Sequence, residues 1–485
     1  MRVTIVGGGI AGLSAAYHLE QGSRAAGIEL ECTLVEKDTR LGGKVVTNRR
    51  DGFVVEGGPD SFLTQKPWAV DLCRKIGLEG QLVGTNEASR RVFILWNGKL
   101  RKLPDGVLLV VPTRFAPFAL STLISPLGKL RMGMDLFIPR RGGSSDESVA
   151  DFVRRRLGSE ALDKIAEPLM GGIHTSDPER QSLLATFPRF ADIERKHGSL
   201  IKGMLAGRGH RPAGASKPLP TFMSLRGGLE QLTETVAARL GPTRVLTGRT
   251  VQGISRDADG RFALRLDDGA TLEADAVVLA NPAKMAAELV EGMDGALAGR
   301  LRTIRYVSTA TVSFGFRQAE LGHDLQGFGF VIPSKERRAI TGCTWSSTKF
   351  DGRAPERGAL IRCFLGSAVD DSSARFPEDE MVRVARAELK SIMRVTADPV
   401  ETWVYPWKDG HPQYDVGHLD LMASIDAMIA ARPGLHLIGS SYRGIGLPDC
   451  IRGGQAAAEA IVRKAAGDGG RAVAAADSNL HSGRR

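Results

Sequence analysis

One short stretch constrains this chain more than any other. Arg2 to Val6 reads as an apolar strand, Gly7-x-Gly9-x-x-Gly12 as a glycine turn, and Ala11 to Leu19 as an alanine-rich helix. A glycine pattern between a strand and a helix opens a β-α-β unit that receives a dinucleotide. Gly7 permits the tight turn, Gly9 lets backbone come close to a pyrophosphate, and Gly12 lets helix and strand pack closely. The helix N-terminus supplies free N–H groups and a favourable field for phosphate. A second strand, Leu30 to Glu36, completes the unit and ends on a carboxylate placed to accept hydrogen bonds from an adenosine ribose.

The chain is 485 residues long, too long for one ordinary core, so two or three domains are expected, one of them built from non-contiguous segments. With 42% hydrophobic and 25% charged residues it has the composition of a soluble globular protein. The start, MRVTIVGGG, leaves no room for a secretory signal, which predicts a cytoplasmic protein. Its five cysteines, Cys32, Cys73, Cys343, Cys363 and Cys450, form no C-x-x-C pair, so reduced, buried thiols are expected and no metal site. The most apolar segment, Phe115 to Gly128, contains Pro117 and Pro126 and is too short to span a bilayer. Its surroundings, Leu103 to Ile138, fit either a cavity wall or a surface resting weakly on a membrane. A net charge of +10 suits an anionic small molecule, an anionic lipid surface or a plain basic exterior. The basic residues are dispersed and no nucleic-acid module is present, so nucleic acid is not expected as a partner.

Along the chain, patterning predicts an α/β protein: a discontinuous Rossmann-type domain, an α+β substrate domain and a mostly helical insertion. The dinucleotide-binding segments are expected at 1–89, 221–290 and 421–465. The helical insertion, a substrate or membrane-contact domain, is expected at 90–205 and a substrate-binding sheet domain at 291–420. A Gly/Pro-rich loop falls at Gly207 to Pro220 and a disordered tail at 466–485.

NAD and FAD use the same cradle, and the residues beyond Glu36 bear on the choice. Arg40-Leu41-Gly42-Gly43-Lys44 resembles the glycine-rich signature of the amine-oxidase-like flavoproteins. At the far end Gly439-Ser440-Ser441 and Gly444-Ile445-Gly446-Leu447-Pro448 lead into another helix, whose N-terminus would face a flavin ring. The stretches LVEKDTRLGGKV, VEGGPDSFL, EPLMGGIHTSD, SLLATFP, HPQYDVGH and GIGLPDCIRGG together resemble the bacterial porphyrinogen oxidases, the protoporphyrinogen or coproporphyrinogen III oxidase family, from Leu34 to Gly454.

That resemblance implies FAD contacts at Gly7, Gly8, Gly9, Ala11, Gly12, Glu36, Lys44, Gly58, Pro59, Asp60, Val251, Trp407, Ile445, Gly446 and Leu447. It implies Lys66 facing a substrate propionate and Ile173 packing beside the macrocycle. The implied reaction takes six electrons and six protons from a porphyrinogen in three two-electron steps of haem biosynthesis, with oxygen reduced to hydrogen peroxide. Coproporphyrinogen III, with four propionates, fits the basic chain better than protoporphyrinogen IX. Transient contact with the next enzyme of the pathway is left open. No Ser-His-Asp set or paired carboxylate stands out, so no catalytic residue is assigned. His174 reads as a structural hydrogen-bonder and Cys450 as a buried thiol. An amine oxidase would need an aromatic cage, and the chain has 5 Trp and 5 Tyr. A carotenoid desaturase would be more uniformly apolar, and a binding protein without redox work would not need intact glycines and Glu36.

Overall fold

Strands with apolar side chains on both faces must be covered on both sides, and that requirement organises the larger part of the molecule. The computed structural model describes the backbone of residues 1–108, 111–112, 115–143, 145–206 and 219–481. Side chains are described over the same ranges except at 107–108, 111–112, 115–116, 171, 173 and 468–481. Five strands form a wholly parallel sheet in the order Arg244–Thr247, Glu31–Glu36, Arg2–Val6, Ala276–Leu279, Leu435–Leu437. Segments far apart in sequence thus meet around the first strand.

One face of this sheet, with Val3, Ile5, Leu34 and Val278, packs on the helices Ile10–Ala26 and Leu447–His481. The two helices approach closely because Gly454 carries no side chain: a Cβ there would lie 2.5 Å from the Ala11 carbonyl oxygen. Ser14 Oγ fixes the crossing by donating to the Ile451 carbonyl at 2.9 Å. The opposite face, with Val6, Val35, Val277 and Leu279, is covered by the antiparallel strands Val251–Arg256, Phe262–Leu266 and Thr271–Ala274. Helices Ala283–Val290, Gly295–Arg302 and His418–Ala430 complete that layer.

A second sheet has seven strands in the order Glu401–Pro412, Tyr306–Arg317, Gly358–Leu365, Gly342–Trp345, Gly329–Val331, Val92–Trp96, Lys99–Lys102. In strand Tyr306–Arg317, past an irregularity at Val307/Thr309, the side chains alternate from Thr309 onward. Ala310, Val312, Phe314 and Phe316 enter an apolar core beneath helix Glu378–Met393, whereas Thr309, Thr311 and Ser313 point the other way and are buried too.

The expectation of a mostly helical stretch from residue 90 needs one correction. Arg90–Lys102 opens it with a hairpin, Val92–Trp96 against Lys99–Lys102, and helices follow from Phe115. The reason is local. Val92-Phe93-Ile94-Leu95-Trp96 is rich in strand formers, and Asn97-Gly98 takes positive φ at both residues, 51° and 69°, as a two-residue hairpin turn demands. Further on, the buried Arg156 donates through Nε to Asp135 Oδ1 at 2.6 Å and through its terminal nitrogens to three backbone carbonyls within 3.0 Å. The buried ion pair is therefore well supplied with partners. The loop expected at Gly207 to Pro220 lies outside the described residues over 207–218, and the tail expected to be disordered at 466–485 instead continues helix Leu447–His481, with side chains from 468 outside the described residues. All five cysteines are buried and free.

Candidate cofactor and substrate site

The carboxyl ends of the parallel strands are where an open α/β sheet binds its ligand, at the crevice beside the first strand. Gly7, with φ 109°, ends that strand in a conformation that favours glycine; a Cβ there would also press on Ala280 at 3.1 Å. Gly12 has no room at all, since its Cβ would sit 1.9 Å from the Gly7 carbonyl oxygen. Gly9 differs from both, because nothing lies within 4 Å of its Cβ position. It is the N-cap of helix Ile10–Ala26, whose first turn has no capping side chain and no acidic residue.

Glu36 is buried and already engaged. Its Oε2 accepts from the Gly8 amide at 2.6 Å and its Oε1 from the Asp38 amide at 2.9 Å. A carboxylate has further lone pairs, so Glu36 both pins the glycine turn and keeps capacity for a ligand hydroxyl. Gly42 donates to the Gly8 carbonyl at 2.9 Å, and a Cβ on Gly43 would come within 3.2 Å of Gly9 Cα, so the second glycine pair lies directly against the first. The Lys44 ammonium donates to the Gly410 carbonyl, and burial pushes its pKa down to about 8.

The next segment, Gly57-Gly58-Pro59-Asp60, is held from the seven-stranded sheet. Trp407 Nε1 and Thr311 Oγ1 donate to the Gly57 carbonyl at 2.9 and 3.3 Å, and Arg362 donates to the Gly58 carbonyl at 2.6 Å. Asp60 pairs with Lys349 at 2.7 Å. Burial pushes the Asp60 carboxyl up, but Lys349 and Arg362 outweigh it and hold the group well below the usual range. Val251 starts a strand, buried, two residues after Arg249 donates to the Glu36 carbonyl at 3.0 Å.

The last segment closes the ring. Gly439, at φ 112°, faces Ala11, and a Cβ there would meet the alanine Cβ at an ordinary 4.0 Å. Tyr414 OH donates to the Ser440 carbonyl and accepts from the Gly444 amide, both at 2.8 Å, which shapes the loop before Ile445, Gly446 and Leu447. Tyr306 OH and Ser441 Oγ share a hydrogen bond of 2.7 Å beneath it. Lys66, 44% exposed, pairs at 2.6 Å with Asp449, 4% exposed, in the first turn of the last helix. The HTSD and HPQY motifs also meet, since Gln413 donates to the Thr175 carbonyl at 3.2 Å. Burial first, then nearby lysine charge, pushes the pKa of His174 and His411 down to about 4; the lysine is Lys66 for His174 and Lys44 for His411. Burial pushes the Cys450 thiol up to about 12.

Hydrogen bonds and close approaches thus link the glycine turn, Glu36, Lys44, Gly58 to Asp60 and Trp407 into one rim, and Lys66 pairs with Asp449, two residues after Leu447. The side chain of Ile173 lies outside the described residues. Sequence reasoning missed Asp449, Tyr414 and Arg362. The first two sit inside motifs quoted above, whereas Arg362 is an isolated cation in an apolar strand and gives no local signal. The residues present fit an FAD-type cofactor: backbone is bare at Gly9, a helix N-terminus is uncapped, and Asn281 Oδ1, beside Gly7, is buried without a partner.

Residues 10–462 match the family model of flavin-containing amine oxidoreductases. The coproporphyrinogen III oxidase of Bacillus subtilis is 37% identical over 461 residues, covering 94% of this chain and 96% of that protein. The enzyme of the same name from Propionibacterium freudenreichii is 35% identical, covering 95% and 90%. A crystal structure from Exiguobacterium sp. 255-15, described as a candidate protoporphyrinogen oxidase, superposes with a TM-score of 0.85 at 34% identity, covering 96% of this chain and 99% of that one.

Proposed function

Since the chain belongs to the flavin-containing amine oxidoreductases, we infer that it oxidises a porphyrinogen to a porphyrin in haem biosynthesis, with FAD as cofactor and oxygen as acceptor. Coproporphyrinogen III is the substrate in this reading. The observation that carries it is near-complete alignment with relatives that bear that name.

The roles of individual residues are part of the proposal. The Gly7 to Gly12 turn and the helix behind it receive the pyrophosphate, with Gly9 as the point of closest backbone approach. Ala11 gives the small surface on which Gly439 closes, and Glu36 accepts from the ribose. Lys44, Gly58, Pro59, Asp60, Trp407, Ile445, Gly446 and Leu447 line the remainder of the cofactor, and Val251 meets its adenine end through backbone. When bound, FAD supplies a two-electron acceptor. The protein's task is to hold the macrocycle edge in place and exclude competing reactions, so no protein base is assigned. Asp449 orients the Lys66 ammonium, which faces a propionate, and Ile173 packs on the macrocycle.

The finer architecture belongs to the same reading: cofactor binding by 1–89, 221–290 and 421–465, substrate binding by the sheet domain 291–420, and substrate or membrane contact by the mostly helical segment 90–205. On that segment Leu120, Leu127 and Phe137 are 85, 78 and 84% exposed, with Arg140 and Arg141 exposed beside them. Such a patch suits weak peripheral contact with an anionic membrane surface of the cytoplasm, and hand-over to the next enzyme of the pathway. Among the described residues no helix is long and apolar enough to cross a membrane.

The test is anaerobic mixing of purified yellow protein with coproporphyrinogen III, following bleaching of flavin absorbance, then aeration with hydrogen peroxide measured. Bleaching followed by three peroxides per porphyrin is expected. A flavin that stays oxidised in the presence of excess porphyrinogen would remove the proposal.

A further inference from the structure

The polar face of the seven-stranded sheet is sealed against the Gly57–Asp60 segment, and its charges do not balance. Three cations, Lys349, Arg353 and Arg362, meet two carboxylates, Glu56 and Asp60. Lys349 pairs with Asp60 at 2.7 Å, and Arg353 lies 3.5 Å from Glu56. Arg362 is buried yet has no ion-pair partner among the described residues. One of its terminal nitrogens donates to the Gly58 carbonyl at 2.6 Å, while its Nε and the neighbouring Ser313 Oγ are buried without a hydrogen-bond partner. Both line a small, partly open cavity that Glu56, Asp60 and Ser346 also line.

Asp60 and Glu56 are near enough to favour the charged guanidinium, but burial outweighs them and lowers its pKa, so its desolvation is only partly offset within the chain. A fold tolerates it where the compensating negative charge comes from outside the chain. The one group expected against Gly58 to Asp60 is the cofactor, which becomes electron-rich when reduced. We propose that Arg362 is a positioning residue of the oxidation: it locks the Gly57–Asp60 segment through the Gly58 carbonyl and supplies the excess positive charge of this cluster, which favours the reduced cofactor. Lys349 contributes to the same field, and Asp60 opposes it.

This inference rests on the reading that FAD occupies the rim, but its test needs no porphyrinogen. The midpoint potential of the bound flavin is measured by dye-coupled reduction in the wild-type holoprotein and in Arg362→Met, Arg362→Lys, Lys349→Gln and Asp60→Asn. Arg362→Met and Lys349→Gln are expected to shift the potential negatively, Asp60→Asn positively, and Arg362→Lys to stay near the wild type. Arg362→Met should also slow anaerobic flavin reduction by substrate at least tenfold. An Arg362→Met potential equal to that of the wild type would overturn the proposal. If that variant does not fold, Lys349→Gln and Asp60→Asn decide: shifts of the same sign, or none, overturn it. A wild-type protein without flavin would instead remove the cofactor reading itself.

Discussion

Gly9 and Gly12 stand in the same motif, yet the structure predicts that their substitution fails for opposite reasons. At Gly12 a Cβ would lie 1.9 Å from the Gly7 carbonyl oxygen, more than an ångström short of the ~3.3 Å at which carbon and carbonyl oxygen normally touch. Helix and strand would have to separate at the centre of the parallel sheet, and overpacking of that kind costs about 1–3 kcal/mol or more. At Gly9 the backbone is already ordinary, with φ −70° and ψ 176°, and nothing occupies the Cβ direction. A side chain there costs the free protein no more than about 1 kcal/mol through weaker capping, yet it fills the space where the pyrophosphate must come closest. Thermal midpoints of flavin-stripped protein at one scan rate, together with flavin per chain after reconstitution, separate the two. Gly12→Ala should lower the midpoint of the stripped protein by several degrees. Gly9→Val should leave that midpoint nearly unchanged but bind no flavin. Stoichiometric flavin in Gly9→Val, or a stripped Gly12→Ala protein as stable as the wild type, would refute the division of labour.

Other outcomes follow from the same geometry. Glu36→Gln places an amide where two backbone N–H groups need acceptors, so it should cost about 2 kcal/mol of stability and weaken flavin binding, both measurable by titration of the stripped protein. Lys66→Ala should raise KM for the tetra-propionate several-fold with little change in kcat; an unchanged KM removes Lys66 from the substrate site. His174 and His411 titrate at about 4 in the folded chain, below their ordinary value, so the unfolded chain binds more protons between about pH 6.5 and 4. Stability is therefore full above pH 6.5 and falls on acidification through that window. His174→Gln/His411→Gln should flatten the fall in thermal midpoint, and an unaltered slope would assign it elsewhere. Leu127→Asp/Phe137→Asp should abolish co-sedimentation with anionic vesicles if the exposed patch is a membrane contact.

Much of the cradle was legible because its signals are local. The glycine turn, the alanine-rich helix and the second strand follow one another without interruption, and each glycine has a distinct steric reason. The Asn97-Gly98 hairpin was equally legible, and helical expectation for the surrounding stretch obscured it. Two features could not be read locally. Thr309, Thr311 and Ser313 alternate with apolar residues as they would on a strand with one solvated face, yet that face is buried against Gly57 to Asp60 from the far end of the chain. Asp449 pairs with Lys66 across almost the whole sequence, so neither neighbourhood announces the other.

The central claim is tested most directly by adding anaerobically prepared coproporphyrinogen III or protoporphyrinogen IX, with oxygen, to the purified holoprotein while porphyrin fluorescence is followed. The account predicts a much higher kcat/KM for coproporphyrinogen III. A preference for protoporphyrinogen IX would contradict the substrate assignment, and turnover of neither by a flavin-loaded protein would contradict the function itself.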